Sequence, residues 1–169
     1  MSLQMISRDK IRRAFPPERT PNTIPLVESA QGIDEEMMET ADVFRGKHWD
    51  ELTAKDFAPN VSFMGFLTYA WQWYYLPALV CCSLEELQTV GYLSDTDMAV
   101  DSIISTLDLF TYPECNAVEN MRKIFSKEQA TIVKDWIYLL TLSTNDIPVH
   151  ADHLIIFLEK YAIGAYFKR

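Results

Sequence analysis

The densest set of metal-ligating side chains in this sequence is His150-Ala151-Asp152-His153. A zinc-type site needs its imidazoles on one face and a further ligand close by. On a helix, about 100° per residue sets His150 and His153 about 60° apart and turns Asp152 roughly 160° from His150. The pair His150 and His153 could therefore share a metal, but Asp152 could not easily join it. No Glu-x-x-His pair exists, which removes the di-iron bundle signature. The plainer reading, a partly buried His150 at a helix start and an exposed His153, is preferred, and no cofactor is expected.

Other reactive types also have structural readings. Glu35, Glu36, Glu39 and Asp42 form an acidic helix face. Acid–base work by paired carboxylates needs unequal environments, which an outward face does not provide. Cys81 and Cys82 lie in apolar sequence with no cationic or imidazole neighbour to stabilise a thiolate, so they read as core residues. Cys115 stands alone after Pro113-Glu114. The row Trp71, Trp73, Tyr74 and Tyr75 is different. Consecutive aromatics on a helix point in different directions, so some must reach a groove, a loop or a partner. With Trp49 and Pro77 they make up the candidate ligand or partner groove. Catalytic residues are not assigned: there is no phosphate-binding glycine loop, Gly-x-Ser-x-Gly or His-Glu-x-x-His.

The elements that must position these residues read as helices throughout. Ser7 caps a helix over 7–15 with Ile11, Ala14 and Phe15 on one face, and Pro16-Pro17 stops it. Residues 16–31 hold four prolines and no period, an irregular connection. A helix over 33–45 carries Ile33, Met37, Ala41 and Phe44 inward, starts on Asp34-Glu35-Glu36 and ends on a left-handed Gly46. Short turns follow at Trp49–Leu52 and Thr53–Asp56. A buried helix over about 69–83, capped by Thr68, is apolar on nearly every side and should be bent by Pro77. Ser83-Leu84-Glu85-Glu86 then reads as a capping box opening a separate helix that ends at Gly91.

Thr96 caps 97–110, where β-branched content keeps a strand possible over 102–110. A short helix at 116–125 precedes the Ser126–Gln129 capping box. Helix 127–142 has the best pattern in the chain: Gln129, Ile132, Val133, Trp136, Ile137 and Leu140 share one stripe. A last helix, about 148–166 with Pro148 in its first turn, packs Leu154, Phe157, Leu158, Tyr161 and Ala165. The expected fold is all-α: one domain over 1–169, a compact irregular bundle of about six to eight helices around the central Pro-bent helix.

Two stretches, Phe44-Arg45-Gly46-Lys47-His48-Trp49-Asp50-Glu51-Leu52 and Phe66 to Ala78 with its Tyr74-Tyr75-Leu76-Pro77-Ala78, carry a family resemblance. Phe125-Ser126-Lys127-Glu128-Gln129 is a looser third match. Together they resemble a family of small bacterial proteins with no assigned function, marked by Phe-x-Gly-x-x-Trp-x-x-Leu ahead of a Tyr-Tyr-Leu-Pro-Ala helix. Thr68 and Tyr69–Ala70 depart from the usual small cap and acid before the Tyr-Tyr pair. The resemblance spans residues 7–142 and implies a helical, bacterial, cytoplasmic protein. It brings no catalytic residues with it.

Charge narrows the partners. The net charge is −9, with eight acidic and no basic residues over 85–119 and a −6 balance over 28–57. Such a body repels phosphate backbones, so nucleic acid is not expected, and a basic protein partner fits better. Val61 to Leu84 carries no charge over 24 residues, long enough to span a bilayer. Its aromatics crowd the middle, Gln72 and Pro77 are internal and Glu85-Glu86 flank it, so it reads as a core helix. Cysteine usage and the absence of a secretory signal in residues 1–20 point to the cytoplasm. The first expectation is a non-catalytic interaction module acting through acidic surface and exposed aromatics. The alternatives are a small-ligand binder with a groove beside Pro77, or a metal-dependent enzyme at His150 and His153.

Overall fold

The computed structural model describes residues 6–27, 35–58, 63–109, 111, 123–143 and 151–163, apart from the side chains of Glu36, Thr40 and Phe63. Seven α-helices occur among them, and extended pairing there is confined to a single bridge, Val27 with Leu67. The fold is all-α, as the periodicity predicts. Expectations that fall on Ile33, Asp34, Cys115, Pro148, His150 and Ala165, and nearly all of the 116–125 helix, lie outside the described residues.

Contacts divide the chain into two units, Phe15–Ile103, and Met1–Ala14 with Ile104–Arg169. In the second of these, α1 (Arg8–Ala14) starts where the Lys10 N–H is accepted by the Ser7 hydroxyl. It buries Ile11. Two longer helices, which we number α6 (Lys127–Ser143) and α7 (Ala151–Ala162), follow late in the chain. The capping box at the start of α6 is formed: Ser126 N–H to Gln129 Oε1 is 2.8 Å, and Gln129 N–H to Ser126 Oγ is 3.2 Å. The Gln129 amide also donates to the Ala14 carbonyl at 2.7 Å, so one side chain starts α6 and closes the end of α1. Ile132, Val133, Trp136, Ile137 and Leu140 are fully buried, as their shared stripe requires. Tyr161, near the end of α7, donates to the Phe125 carbonyl at the start of α6, so the two helices run antiparallel. Leu154, Phe157 and Leu158 complete the inner face.

The other unit holds α2 (Glu35–Phe44), α3 (Ala54–Phe57), α4 (Tyr69–Thr89) and the first half of α5 (Asp97–Leu109). Gly46 ends α2 at φ +76°, a conformation that costs a residue with a Cβ appreciable strain. Trp49–Glu51 forms a 3-10 turn, and Asp56 accepts from the Thr53 N–H and hydroxyl at 2.8 Å each to start α3. Over 102–109 the strand alternative is settled as helix: Val100, Ile103, Ile104 and Leu107 lie on one buried face of α5.

One expected boundary is corrected. No helix starts at Ser83; α4 continues through Pro77 and on to Thr89. The Ser83 hydroxyl bonds back to the Val80 carbonyl within the helix, at 3.2 Å. Glu86 is buried and turned toward the next element, so it does not reach back to complete a capping box. Its carboxylate accepts from the N–H groups of Ser94, Asp95 and Thr96 and, at 2.6 Å, from the Thr96 hydroxyl. The acid read as starting one helix in fact organises the entry to the next.

Candidate functional site

The site grows out of a shortage of donors. Residues 15–27 form an irregular strap in which Pro16, Pro17, Pro21 and Pro25 carry no N–H. Backbone N–H groups within the strap meet the Pro16 and Pro21 carbonyls, and several others find partners elsewhere. The aromatic side chains supply them. Trp49 donates its indole N–H to the Phe15 carbonyl at 2.9 Å. Tyr74 donates its hydroxyl to the Pro17 carbonyl at 2.7 Å, and the Trp71 indole reaches the Ile24 carbonyl at 2.9 Å. Thr68, the residue before α4, closes the row: its hydroxyl bonds the Pro25 carbonyl and its N–H the Leu26 carbonyl.

His48 joins the same junction. Its Nδ1 lies 2.9 Å from the Pro17 carbonyl and 3.1 Å from the Tyr74 hydroxyl. A carbonyl only accepts, so the tautomer that satisfies Pro17 carries the proton on Nδ1. Tyr75 points the other way around α4 and donates to the Phe44 carbonyl at 2.8 Å and the Lys47 carbonyl at 3.3 Å, fastening the turn after α2. Burial pushes the Tyr74 phenol up to about 12; the nearby Asp50, Glu51 and Glu18 carboxylates add to this, while the hydrogen bond from the Trp49 N–H opposes it. Tyr75 is likewise raised, by burial first and by Tyr74 second. Both phenols are neutral over the physiological range.

Between the strap, the end of α2 and α4 lies a cleft of about 380 Å³. Phe44, Trp71 and Tyr75 back it, Phe44 and Tyr75 fully buried and Trp71 9% exposed. Trp71 and Tyr75 stack at 5.5 Å and 22°, and Phe44 meets Tyr75 edge-on at 4.6 Å. Arg45, Lys47 and His48 line it from the turn after α2, and Thr20, Asn22 and Leu26 from the strap. Lys47 is 2.8 Å from Asp56. Burial alone would raise the Asp56 carboxyl, but the hydrogen bonds from Lys47 and Thr53 and the Lys47 charge together lower it below the usual carboxylate value.

Of the candidate groove residues, Trp71 and Tyr75 line this cleft. Trp49, Tyr74 and Pro77 are buried instead, the first two as fasteners of the strap. Trp73 stacks in parallel on Tyr69 at 6.4 Å, and Tyr69 is 54% exposed. Arg45, Lys47 and His48 were missed by the sequence reading. The signal was there in Arg45-Gly46-Lys47-His48, a cluster of basic residues at a helix end inside an acidic segment. Next to these aromatics, Gln72 donates to the Leu67 carbonyl at 2.8 Å, while its buried Oε1 has no hydrogen-bond partner among the described residues.

The other candidate, His153, is placed by α7 with its Nδ1 3.2 Å from the buried Asp108 carboxylate and 3.3 Å from the Thr111 hydroxyl. His150 lies outside the described residues, and no cluster of three metal-ligating side chains occurs among them. Cys81 and Cys82 are buried, as expected. Glu35, Glu39 and Asp42 face solvent. No helix among the described residues is long and apolar enough to cross a membrane. No protein-family model, curated protein or solved structure matches the chain.

Proposed function

We propose that this protein is a non-catalytic binding module whose recognition site is the cleft between the strap, the end of α2 and α4. The observation that carries the reading is the cleft itself: about 380 Å³, with Leu26 and the edge of Trp71 on its apolar side and Asn22, Arg45 and Lys47 on its polar side. Small-molecule sites typically span about 300–1,000 Å³ and combine apolar walls with a few convergent polar groups. The walls are also fixed in advance, because Trp71 and Tyr75 are tied to backbone carbonyls. A preformed site loses little entropy on binding.

The test uses the fluorescent probe N-phenyl-1-naphthylamine, a neutral two-part aromatic. It should bind the protein saturably. Asn22 is an exposed residue lining the cleft, so Asn22→Trp fills the space without entering the core. That variant should weaken probe binding by about tenfold or more, roughly the loss of one good contact, with its helical circular dichroism unchanged. Equal binding to both proteins would place the probe elsewhere and end this reading.

A second reading keeps a protein partner. It is supported by the Tyr69–Trp73 stack, which sits on the exposed side of α4 and away from the cleft walls. Large aromatics of this kind are enriched where binding energy concentrates. Under it, a basic partner meets the acidic surface, and Tyr69→Ala with Trp73→Ala abolishes partner capture but spares probe binding. Loss of probe binding in that double variant would count against it.

A further inference from the structure

We infer that the cleft selects ligands carrying an anionic group. This rests on the reading of the cleft as the ligand site and adds the chemistry of the ligand.

The aromatic side offers neither a free donor nor an open face. The Trp71 indole N–H and the Tyr75 hydroxyl are already given to the Ile24, Phe44 and Lys47 carbonyls. Phe44 and Tyr75 are fully buried and Trp71 is 9% exposed, so discrimination between ligands falls to the rim.

The rim decides the charge. Arg45, Lys47 and His48 line the cleft, and among the described residues no acidic side chain does. They stand within residues 28–57, a segment with a −6 balance, so the sign reverses locally. A simpler account is that Arg45 and Lys47 merely complement the C-terminal end of the α2 dipole and pair with nearby acids. The pairing, however, leaves donors over. Arg45 directs Nε and one Nη to a single Asp42 oxygen, and its side chain is 62% exposed. A guanidinium has five N–H donors. Lys47 gives one of its three N–H groups to Asp56 and is 40% exposed. Asp56 is itself fixed by Thr53 at the start of α3, so the Lys47 ammonium is held in position. His48 gives its Nδ1 proton to the Pro17 carbonyl and in that neutral form has no further N–H to offer. The anchored Lys47 ammonium and the exposed Arg45 guanidinium therefore supply the donors that line the opening. Such groups recognise a carboxylate or sulfonate through charge-assisted hydrogen bonds.

The experiment compares two probes with the same ring system, 1-naphthaleneacetate and 1-naphthaleneacetamide, by isothermal titration against the intact protein. The anion should bind at least about tenfold more tightly, the worth of one charge-assisted hydrogen bond over a neutral one. In Arg45→Met and Lys47→Met the preference should shrink to under about threefold. Arg45→Met is the cleaner variant, since Arg45 is exposed and Lys47 also serves Asp56. Both are checked for unchanged helical circular dichroism. Equal binding of anion and amide to the wild-type protein overturns the anionic preference and leaves the cleft standing as a site indifferent to charge. If neither probe binds, or both bind Asn22→Trp as well as wild type, the cleft reading fails and the inference with it. A preference that survives in Arg45→Met and Lys47→Met alike places the anion away from this rim and also overturns it.

Discussion

Tyr74 shows how one side chain carries two different consequences. Its hydroxyl closes the strap at Pro17, 2.7 Å away, and lies 3.4 Å from the Trp49 N–H. Removing it in Tyr74→Phe deletes its hydrogen bonds with the Pro17 carbonyl and the Trp49 N–H and leaves that carbonyl with His48, a loss of about 1–3 kcal/mol at neutral pH. The same phenol has its pKa raised from 10.0 to about 12, chiefly by burial. In the unfolded chain it ionises near 10, so the unfolded state releases the proton first. Its contribution is full below pH 10 and is lost as pH rises from 10 toward 12. Between pH 9 and 11 the wild-type protein should therefore lose on the order of 1 kcal/mol more stability than Tyr74→Phe, which cannot titrate. Urea denaturation of both proteins at the two pH values measures this. Parallel losses would mean the Tyr74 hydroxyl ionises as it does in water. That the tyrosines need fixed partners could be read from a buried aromatic run. Which carbonyls they choose could not, because Tyr74 reaches back 57 positions to Pro17 and Tyr75 31 positions to Phe44.

At the scale of elements, the helices that were legible were those whose boundaries are chemically local. Ser7, Gly46, Thr53-to-Asp56 and Ser126-to-Gln129 act within three or four residues, and each does as its motif says. The stripes of α5 and α6 were legible because burial follows the 3.6 period. Ser83-to-Glu86 misled because a capping box is identified by residue type, and type does not say where a side chain goes. The apolar run continues past Ser83, so α4 had no reason to stop, and Glu86 spans the turn at Gly91 to reach Thr96. The cleft was half legible: its aromatic side followed from the crowded row, but its basic rim depends on the turn after α2 folding against that row. The Glu86 arrangement is testable. Glu86→Gln keeps the shape but loses the charge that receives three N–H groups and a hydroxyl, and places an amide NH₂ against donors. It should cost about 1–3 kcal/mol. Hydrogen exchange should quicken at the first turn of α5 while α6 is unaffected. A neutral result would show that the backbone at Ser94–Thr96 is satisfied without this carboxylate.

For the molecule as a whole, the dominant long-range term is its own charge. The net charge is −9, and residues 85–119 contribute eight carboxylates without one basic side chain. Opposite-sign pairs among the described residues include Arg45 with Asp42, largely solvent-facing, and Lys134 with Asp135, partly exposed. Exposed pairs of this kind contribute little, about 0–1 kcal/mol each. Self-repulsion acts between every pair of like charges within a screening length, about 30 Å at 0.01 M salt and about 8 Å at 0.15 M. At low salt that length spans much of a chain of this size, so the carboxylates repel one another collectively and oppose compaction. Raising sodium chloride from 0.01 to 0.15 M screens both terms but removes more repulsion than attraction. The melting temperature should therefore rise, by about 2–4 °C if the net gain is about 1 kcal/mol. Differential scanning calorimetry at the two salt concentrations, at one pH near neutrality, measures it. Repeating the scan with potassium chloride separates screening from capture of a particular cation, since screening depends on ionic strength and not on ion identity. A melting temperature that falls with salt would mean that paired charges outweigh the repulsion, with the acidic segments engaged by basic residues of the same chain. In that case they would not be open to a basic partner, and the reading that depends on the acidic surface would lose its support.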